Sequence, residues 1–85
     1  METENVIPIN DVHFVAFASL NNLTPIINNR KGRITFLFPP SDQFYQLVQR
    51  FYDNEPVPIV DFTTALKQVK AQLWAAKTGE AGGGK

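Results

Sequence analysis

Hydrophobic residues recur every three or four positions in three segments of the chain, the spacing of one face of an α-helix. The first segment repeats at Phe14, Phe17 and Ala18, with Val15 beside them. The second repeats at Phe44, Leu47, Val48 and Phe51, and the third at Phe62, Ala65, Leu66, Val69 and Leu73. This spacing predicts three helices that each bury one face.

Short polar residues mark where these helices begin. Asp11, Ser41 and Asp61 come just before the three hydrophobic repeats, and each has a side-chain oxygen that can accept from the free amides of a first helical turn. We therefore predict them as N-caps. The pair Asn21-Asn22 ends the first helix, because asparagine tolerates the left-handed backbone that follows many helices.

The segment between the first two helices has a different period. From Ile34 to Phe38 the residues are β-branched or aromatic, and Ile34, Phe36 and Phe38 alternate onto one face. An extended segment, Ile26–Asn28, precedes it, and Gly32 lies between the two where a turn needs positive φ. The pattern predicts a β-hairpin with a longer loop or a bulge.

These elements predict a small single α+β domain, ordered helix, β-hairpin, helix, helix. A two-stranded hairpin alone is marginal in water, so we expect the helices to cover one face of it in a two-layer arrangement. The predicted domain spans residues 10–77 of the 85 residues. Residues 1–9 are interpreted as a flexible lead-in, with Val6, Ile7 and Ile9 able to pack on the core as an extended strap. Residues 78–85 are glycine-rich and predicted to be a disordered tail.

Composition restricts the function classes. The chain has no cysteine, which excludes disulfides and thiolate zinc sites. Its formal net charge is +0, unlike that of a strongly basic nucleic-acid binder. The N-terminus is acidic and precedes no apolar run of signal-peptide length, and no stretch reaches the roughly 18 apolar residues of a membrane span. We expect a cytoplasmic protein that makes no membrane contact.

Four stretches of the chain follow the order of a known family. They are Asp11–Leu20, the charged Arg30–Arg33 before Phe36–Phe38, Phe51–Asn54, and Phe62–Lys70. In this order the chain resembles a family of short bacterial and bacteriophage proteins known only as a domain of unknown function, over about residues 10 to 75. Where that family tends to have glycine after helix one, this chain has Asn22. The resemblance implies the same architecture and a phage or mobile-element origin, and it carries no catalytic residue.

Catalytic and metal chemistry lack the necessary side chains. The single histidine, His13, lies six residues from Ser19, so on a helix the two point to different faces. Nucleophilic catalysis needs a nucleophile beside a base, and no other pair offers one. One histidine and scattered carboxylates give no metal-ligand spacing. We therefore predict no enzyme activity, no cofactor and no metal.

Basic residues gather at the hairpin tip and along the last helix, and they are candidate contacts to nucleic-acid phosphates. They are Arg30, Lys31, Arg33, Lys67 and Lys70, followed by Lys77. The structural alternative is that a charged turn keeps the hairpin soluble and that basic residues favour the negative end of a helix. The zero net charge favours that alternative.

Three aromatic residues lie outside the predicted core stripes. Tyr45 and Tyr52 are seven residues apart on helix two, and Trp74 lies at the margin of the last stripe. Exposed together, they would anchor a protein partner or a second copy of the domain; alternatively, they close the periphery of a small core. Our leading hypothesis is a non-enzymatic accessory binding module acting through protein contacts, including self-association as a homodimer. The alternative is a nucleic-acid-binding module that uses the hairpin tip and the last helix.

Overall fold

A computed structural model describes the backbone of residues 6–83 and the side chains of residues 6–77. Within this part of the chain the elements are β1 (Ile7–Ile9), α1 (Val12–Leu20), β2 (Ile26–Arg30), β3 (Arg33–Phe38), α2 (Asp42–Tyr52) and α3 (Ile59–Gly83). The three strands form one antiparallel sheet in the order β1-β3-β2, and the helices pack against it. The predicted α+β architecture is confirmed, with one more strand.

That additional strand corrects the prediction of a flexible lead-in at residues 7–9 and agrees with the alternative of an extended strap that packs on the core. Ile7–Ile9 pairs with β3, Ile7 opposite Phe38 and Ile9 opposite Phe36. Ile7 and Ile9 point to the same face of the sheet as the two buried phenylalanines and pack against the core. Two alternating isoleucines around a proline are too short a pattern to reveal a strand. Residues 1–5 lie outside the described part of the chain.

Pro8 fits β1 because β1 is an edge strand. Arg30 and Arg33 flank the two-residue hairpin loop, so their backbone groups form hydrogen bonds with each other. Along β3, residues that bond to β2 therefore alternate with residues that bond to β1. By this alternation Ile7 and Ile9 bond to β3, while Pro8, opposite Leu37, has its nitrogen on the outer side. A proline is tolerated at such a position because its missing N–H would have faced away from the sheet.

The hairpin loop is shorter than the predicted longer loop or bulge. Only Lys31 and Gly32 separate the strands, with φ of 55° and 85°. Positive φ at both loop positions is the mark of a type I′ turn, whose twist matches that of the strands. The Asn29 Oδ1 accepts a hydrogen bond from the Gly32 N–H at 3.0 Å. β2 therefore extends to Arg30 and β3 begins at Arg33, so both strands are longer than their hydrophobic pattern indicates.

Helix α1 is the centre of the core rather than an amphipathic surface helix. Its five consecutive residues from Phe14 to Ala18 are all buried, because α1 contacts β1, α2 and α3. The Phe14 ring makes edge-to-face contacts with Phe38, Phe44 and Phe51, at centroid distances of 5.6, 5.8 and 5.4 Å. The predicted stripe is thus only part of the buried surface of this helix.

Two of the three predicted N-caps are confirmed. The Asp11 carboxylate accepts from the His13 N–H at 2.9 Å, and the Ser41 hydroxyl accepts from the Phe44 N–H at 3.0 Å. The prediction for Asp61 is wrong. Helix α3 begins two residues earlier, and the carbonyl before it accepts from the Phe62 N–H at 2.9 Å. Asp61 instead lies in the first turn, where its charge still favours the positive end of the helix.

Helix α1 ends in a Schellman motif, in which asparagine replaces the more usual glycine. Asn22 has a φ of 64° and its N–H donates to the Ser19 carbonyl, while the Leu23 N–H donates to the Ala18 carbonyl at 2.9 Å. Helix α2 ends in the same way at Asn54, whose φ is 62°. The predicted role of Asn22 as a left-handed helix terminator is confirmed.

Arg50 links the ends of these two helices. Its guanidinium donates to both Glu55 carboxylate oxygens, at 2.7 and 2.6 Å, and to the Asn21 side-chain oxygen at 3.1 Å. It also lies 5.6 Å from the centroid of the Phe17 ring. The hydrogen bonds from Arg50, more than its charge alone, hold the pKa of the Glu55 carboxyl below its ordinary value.

Helix α3 is longer than predicted. Its backbone remains helical through Gly83, which corrects the disordered tail of residues 78–85 as far as that residue; 84–85 lie outside the described part of the chain. A helix that is already nucleated gains a backbone hydrogen bond for each residue it adds. Residues 78–83 contain no core-forming hydrophobic repeat and include three glycines, which are poor helix formers, so the sequence pattern does not indicate this extension.

Candidate binding surfaces

An apolar groove of about 280 Å³ runs between β1 and α2. We call it the tyrosine groove. Both tyrosines of the chain lie on its α2 wall, and two isoleucines lie on its β1 wall. Its lining consists of Ile7, Ile9, Asp11, Phe14, Phe44, Tyr45, Val48 and Tyr52.

The two tyrosines do not close the core. Tyr45 is 55% exposed and Tyr52 is 78% exposed. Each ring nevertheless packs edge-to-face on a preceding phenylalanine of α2, Tyr45 on Phe44 and Tyr52 on Phe51, with centroids 5.4 Å apart in both pairs. The tyrosines therefore present supported aromatic surface to the solvent side of the groove.

Sequence reasoning selected Tyr45 and Tyr52, and the fold brings them to one groove. Ile7 and Ile9 were not selected as site residues, because two isoleucines around a proline are too short a pattern to indicate their place in a groove. Trp74, the third candidate, is 68% exposed on α3 and is not among the residues that line this groove. The three aromatics therefore do not form a single patch.

Among the described residues that line the groove, Asp11 is the one with a charge. One of its carboxylate oxygens caps α1 and lies 3.4 Å from the Nδ1 of His13. The Asp11 side chain is 51% exposed, so the carboxylate is in part accessible to a ligand. An apolar surface with a carboxylate at its margin suits an apolar ligand that carries a cation.

A second depression, of about 390 Å³, lies between the hairpin and the C-terminal half of α3. We call it the basic cleft. Of the described side chains that line it, Arg33 of β3 and Lys77 of α3 are charged, and Leu73 and Ile34 contribute apolar lining. Among the side chains that the structure describes, no carboxylate lines the cleft. Cations that are far apart in the sequence are therefore brought to one surface.

The remaining candidate cations extend this surface in two directions. Arg30 and Lys31 are exposed at the hairpin tip, and Lys67 and Lys70 are exposed on α3. Successive residues of a helix are rotated by about 100° around its axis. By this rotation Lys67, Lys70, Trp74 and Lys77 all lie within a sector of about 80° on α3. Among the described residues, none of these cations has a carboxylate within ion-pair distance.

Over the part of the chain that the structure describes, no three histidine or acidic side chains gather in a way that could hold a metal ion. His13 is 58% exposed and stacks on Phe62 with ring centroids 6.5 Å apart. Its described neighbours are thus a cap and an aromatic ring. None of the helices in the described residues is both long and apolar enough to span a membrane.

The model of a domain of unknown function, DUF5659, matches residues 4–75 of the chain. The chain belongs to this family. The DUF5659 match includes β1 and most of α3, and it contains both the tyrosine groove and all of the basic cleft except Lys77. No curated protein and no solved structure matches the chain.

Proposed function

We propose that this DUF5659 domain is a non-enzymatic binding module that takes up an apolar segment of a partner protein in the tyrosine groove. The observation that supports this most directly is the position of Tyr45 and Tyr52. Both rings are more than half exposed, and both face the same groove. Large aromatic side chains on a surface are the residues that most often dominate protein interfaces.

The support beneath the tyrosines favours binding over a merely structural role. A ring that already packs against a phenylalanine loses little conformational freedom when a partner covers it, so less entropy opposes association. Val48 and the two isoleucines of β1 continue the apolar surface below the rings. The groove thus offers a supported aromatic margin and an apolar floor.

The chemistry of the groove also describes the partner. Aliphatic or aromatic side chains would fill its floor, and a lysine or arginine beside them would pair with the partly accessible carboxylate of Asp11. The tyrosine hydroxyls offer hydrogen bonds at the margin. A second copy of this domain is the alternative occupant, and the oligomeric state distinguishes the two.

The test is a quantitative capture from cell lysate with three immobilised proteins. They are the wild type, the double variant Tyr45→Ser/Tyr52→Ser, and the control Val60→Ser. Val60 is 72% exposed and lies outside the groove, so the control removes exposed apolar surface elsewhere on the domain. Far-ultraviolet circular dichroism establishes that all three are folded.

We expect proteins that are retained by the wild type and by Val60→Ser but lost from the tyrosine variant. Binding of a purified captured protein should then weaken about 30-fold or more when both tyrosines are removed, if each acts as an interface anchor. Light scattering of the wild type measures self-association. A monomer whose captured proteins are the same with and without the tyrosines would overturn the proposal.

The same proposal assigns this module to the cytoplasm, a reducing compartment with which a sequence without cysteine is compatible. It also includes the phage or mobile-element origin implied by the resemblance in sequence. Fractionation of cells that express the natural gene tests the first point.

A further inference from the structure

We propose that the basic cleft, a surface separate from the tyrosine groove, binds a single strand of nucleic acid. Its phosphates would contact Arg33 and Lys77, and one of its bases would stack on Trp74. The inference is independent of the proposed function, because none of these three residues lines the groove.

The first support is convergence of charge. Arg33 leaves the hairpin loop and Lys77 lies 44 positions later on α3 (77 − 33), yet both line one cleft. Neither has an ion-pair partner among the described residues, so both charges are available to an anion. Further cations continue from the cleft, Lys31 towards the hairpin tip and Lys70 along α3. A row of cations longer than the cleft suits an extended polyanion better than a single small anion.

The second support is the position of Trp74. Trp74 is not itself a lining residue of the cleft, but it lies one turn before Lys77 on α3, about 60° from it around the helix axis, and is 68% exposed. An exposed indole among cations is the arrangement with which proteins hold single strands, because any base can stack on the ring while the phosphates meet the charges. A paired duplex hides the faces of its bases, so this arrangement favours an unpaired strand.

The third support is the shape of the cleft. It has an apolar floor that includes Leu73 and Ile34, and its volume of about 390 Å³ is in the range of small-molecule sites. Besides the two cations, the polar groups around this floor are the Asn10 side chain and the backbone of the exposed Gly32 in the turn. A flat nucleobase or a sugar can lie on such a floor while its phosphates remain at the charged margin.

The experiment uses the full chain and two fluorescein-labelled probes, a 20-nucleotide oligothymidylate and a 20-nucleotide oligouridylate. Anisotropy measures affinity between 20 and 200 mM salt. Trp74 is the single tryptophan of the chain, so its own fluorescence reports directly on stacking. Unlabelled oligothymidylate is used for that second measurement.

Three variants separate the contributions. Arg33→Gln/Lys77→Gln removes both charges of the cleft, and Trp74→Leu removes the stacking ring. Gln68→Glu also lowers the net charge, but it does so on the opposite side of α3 from Lys70 and Lys77 and is the control for long-range electrostatics. Circular dichroism confirms that each variant is folded.

We expect saturable binding of at least one probe with quenching of Trp74 fluorescence. The charge variant should reduce the slope of log affinity against log salt by about 1.4, since each phosphate contact to a single strand contributes about 0.7. Trp74→Leu should weaken binding about 5- to 150-fold and leave that slope unchanged. Gln68→Glu should bind within about twofold of the wild type.

Three results would overturn the inference. The first is no binding of either probe at 20 mM salt. The second is binding without quenching of Trp74, equal for the wild type and Trp74→Leu, which would describe only a diffuse basic surface. The third is an equal loss of affinity for Gln68→Glu and for the charge variant. None of these results affects the tyrosine groove.

Discussion

Phe14 should contribute more to stability than Phe36, which is buried to a similar degree, and Phe14→Leu tests this. Leucine keeps most of the buried apolar surface and removes the three edge-to-face contacts of the Phe14 ring. Aromatic pairs are worth about 0.5–1.5 kcal/mol each beyond the area they bury, so three pairs contribute about 1.5–4.5 kcal/mol. Folded domains of this length are stable by roughly 4–13 kcal/mol, so most of this range leaves the variant folded.

Phe36→Leu is the matched control. Phe36 is 1% exposed, compared with 4% for Phe14, and its ring makes no aromatic contact with any of the described residues. Both variants lose the same atoms from the same core, so the difference between their free energies of unfolding isolates the ring contacts. Leucine is also the better helix former, and this effect works against the expected result for Phe14.

Urea unfolding followed by circular dichroism gives both free energies, and equal m-values would show that the unfolded states are comparable. Phe14→Leu should be less stable than Phe36→Leu by about 1.5 kcal/mol or more. If the two variants agree within about 0.5 kcal/mol, the aromatic contacts do not contribute beyond buried area and the reasoning fails.

Three further predictions concern the turn, the caps and the ion pair. Lys31→Asn should raise the free energy of unfolding by about 0.5–1 kcal/mol, because asparagine tolerates the left-handed backbone at this position; a lower melting temperature would contradict this. Asp11→Ala should cost about 1 kcal/mol and more than Asp61→Ala, because only Asp11 is an N-cap; the reverse order in urea titrations would refute that assignment. The folded-state pKa of Glu55 is below its ordinary value of 4.5. The contribution of its ion pair with Arg50 to the free energy of unfolding is therefore complete above pH 4.5 and is lost as the pH falls through the folded-state pKa. Glu55→Gln should therefore melt below the wild type at pH 7 and by a smaller margin at pH 3, and a margin independent of pH would contradict the ion pair.

The features that depend only on neighbouring residues, such as helix caps and strand alternation, could be predicted from local sequence patterns. The caps at Asp11 and Ser41 could be read directly, because a side chain that accepts from an amide two or three residues later requires only a local backbone conformation. The alternation that buries Phe36 and Phe38 is likewise a property of a single strand. The prediction for Asp61 was wrong because a residue type that suits an N-cap also occurs within the first turn of a helix.

Tertiary contacts determined what could not be predicted. The burial of Phe14 to Ala18 around the whole of α1 depends on elements that pack on several sides of it, and a single helical stripe does not indicate that. Ile7 and Ile9 form a strand only because β3 has a free edge. The two candidate surfaces arise in the same way, since β1 meets α2 at the tyrosines and the hairpin meets α3 at Lys77.

The position of β1 at the edge of the sheet has a consequence for the order in which the sheet opens. β1 is held to β3 through the backbone groups of Ile7 and Ile9, and it pairs with residues far away in the chain, whereas β2 and β3 meet across a two-residue loop. Closing the longer loop costs more entropy, so β1 should join the sheet after the hairpin forms and leave it first. Hydrogen exchange at the Ile7 and Ile9 amides should therefore be faster than within the hairpin. Since both isoleucines line the tyrosine groove, an occupant of that groove would slow their exchange. The exchange rates of these two amides would therefore report binding in the groove.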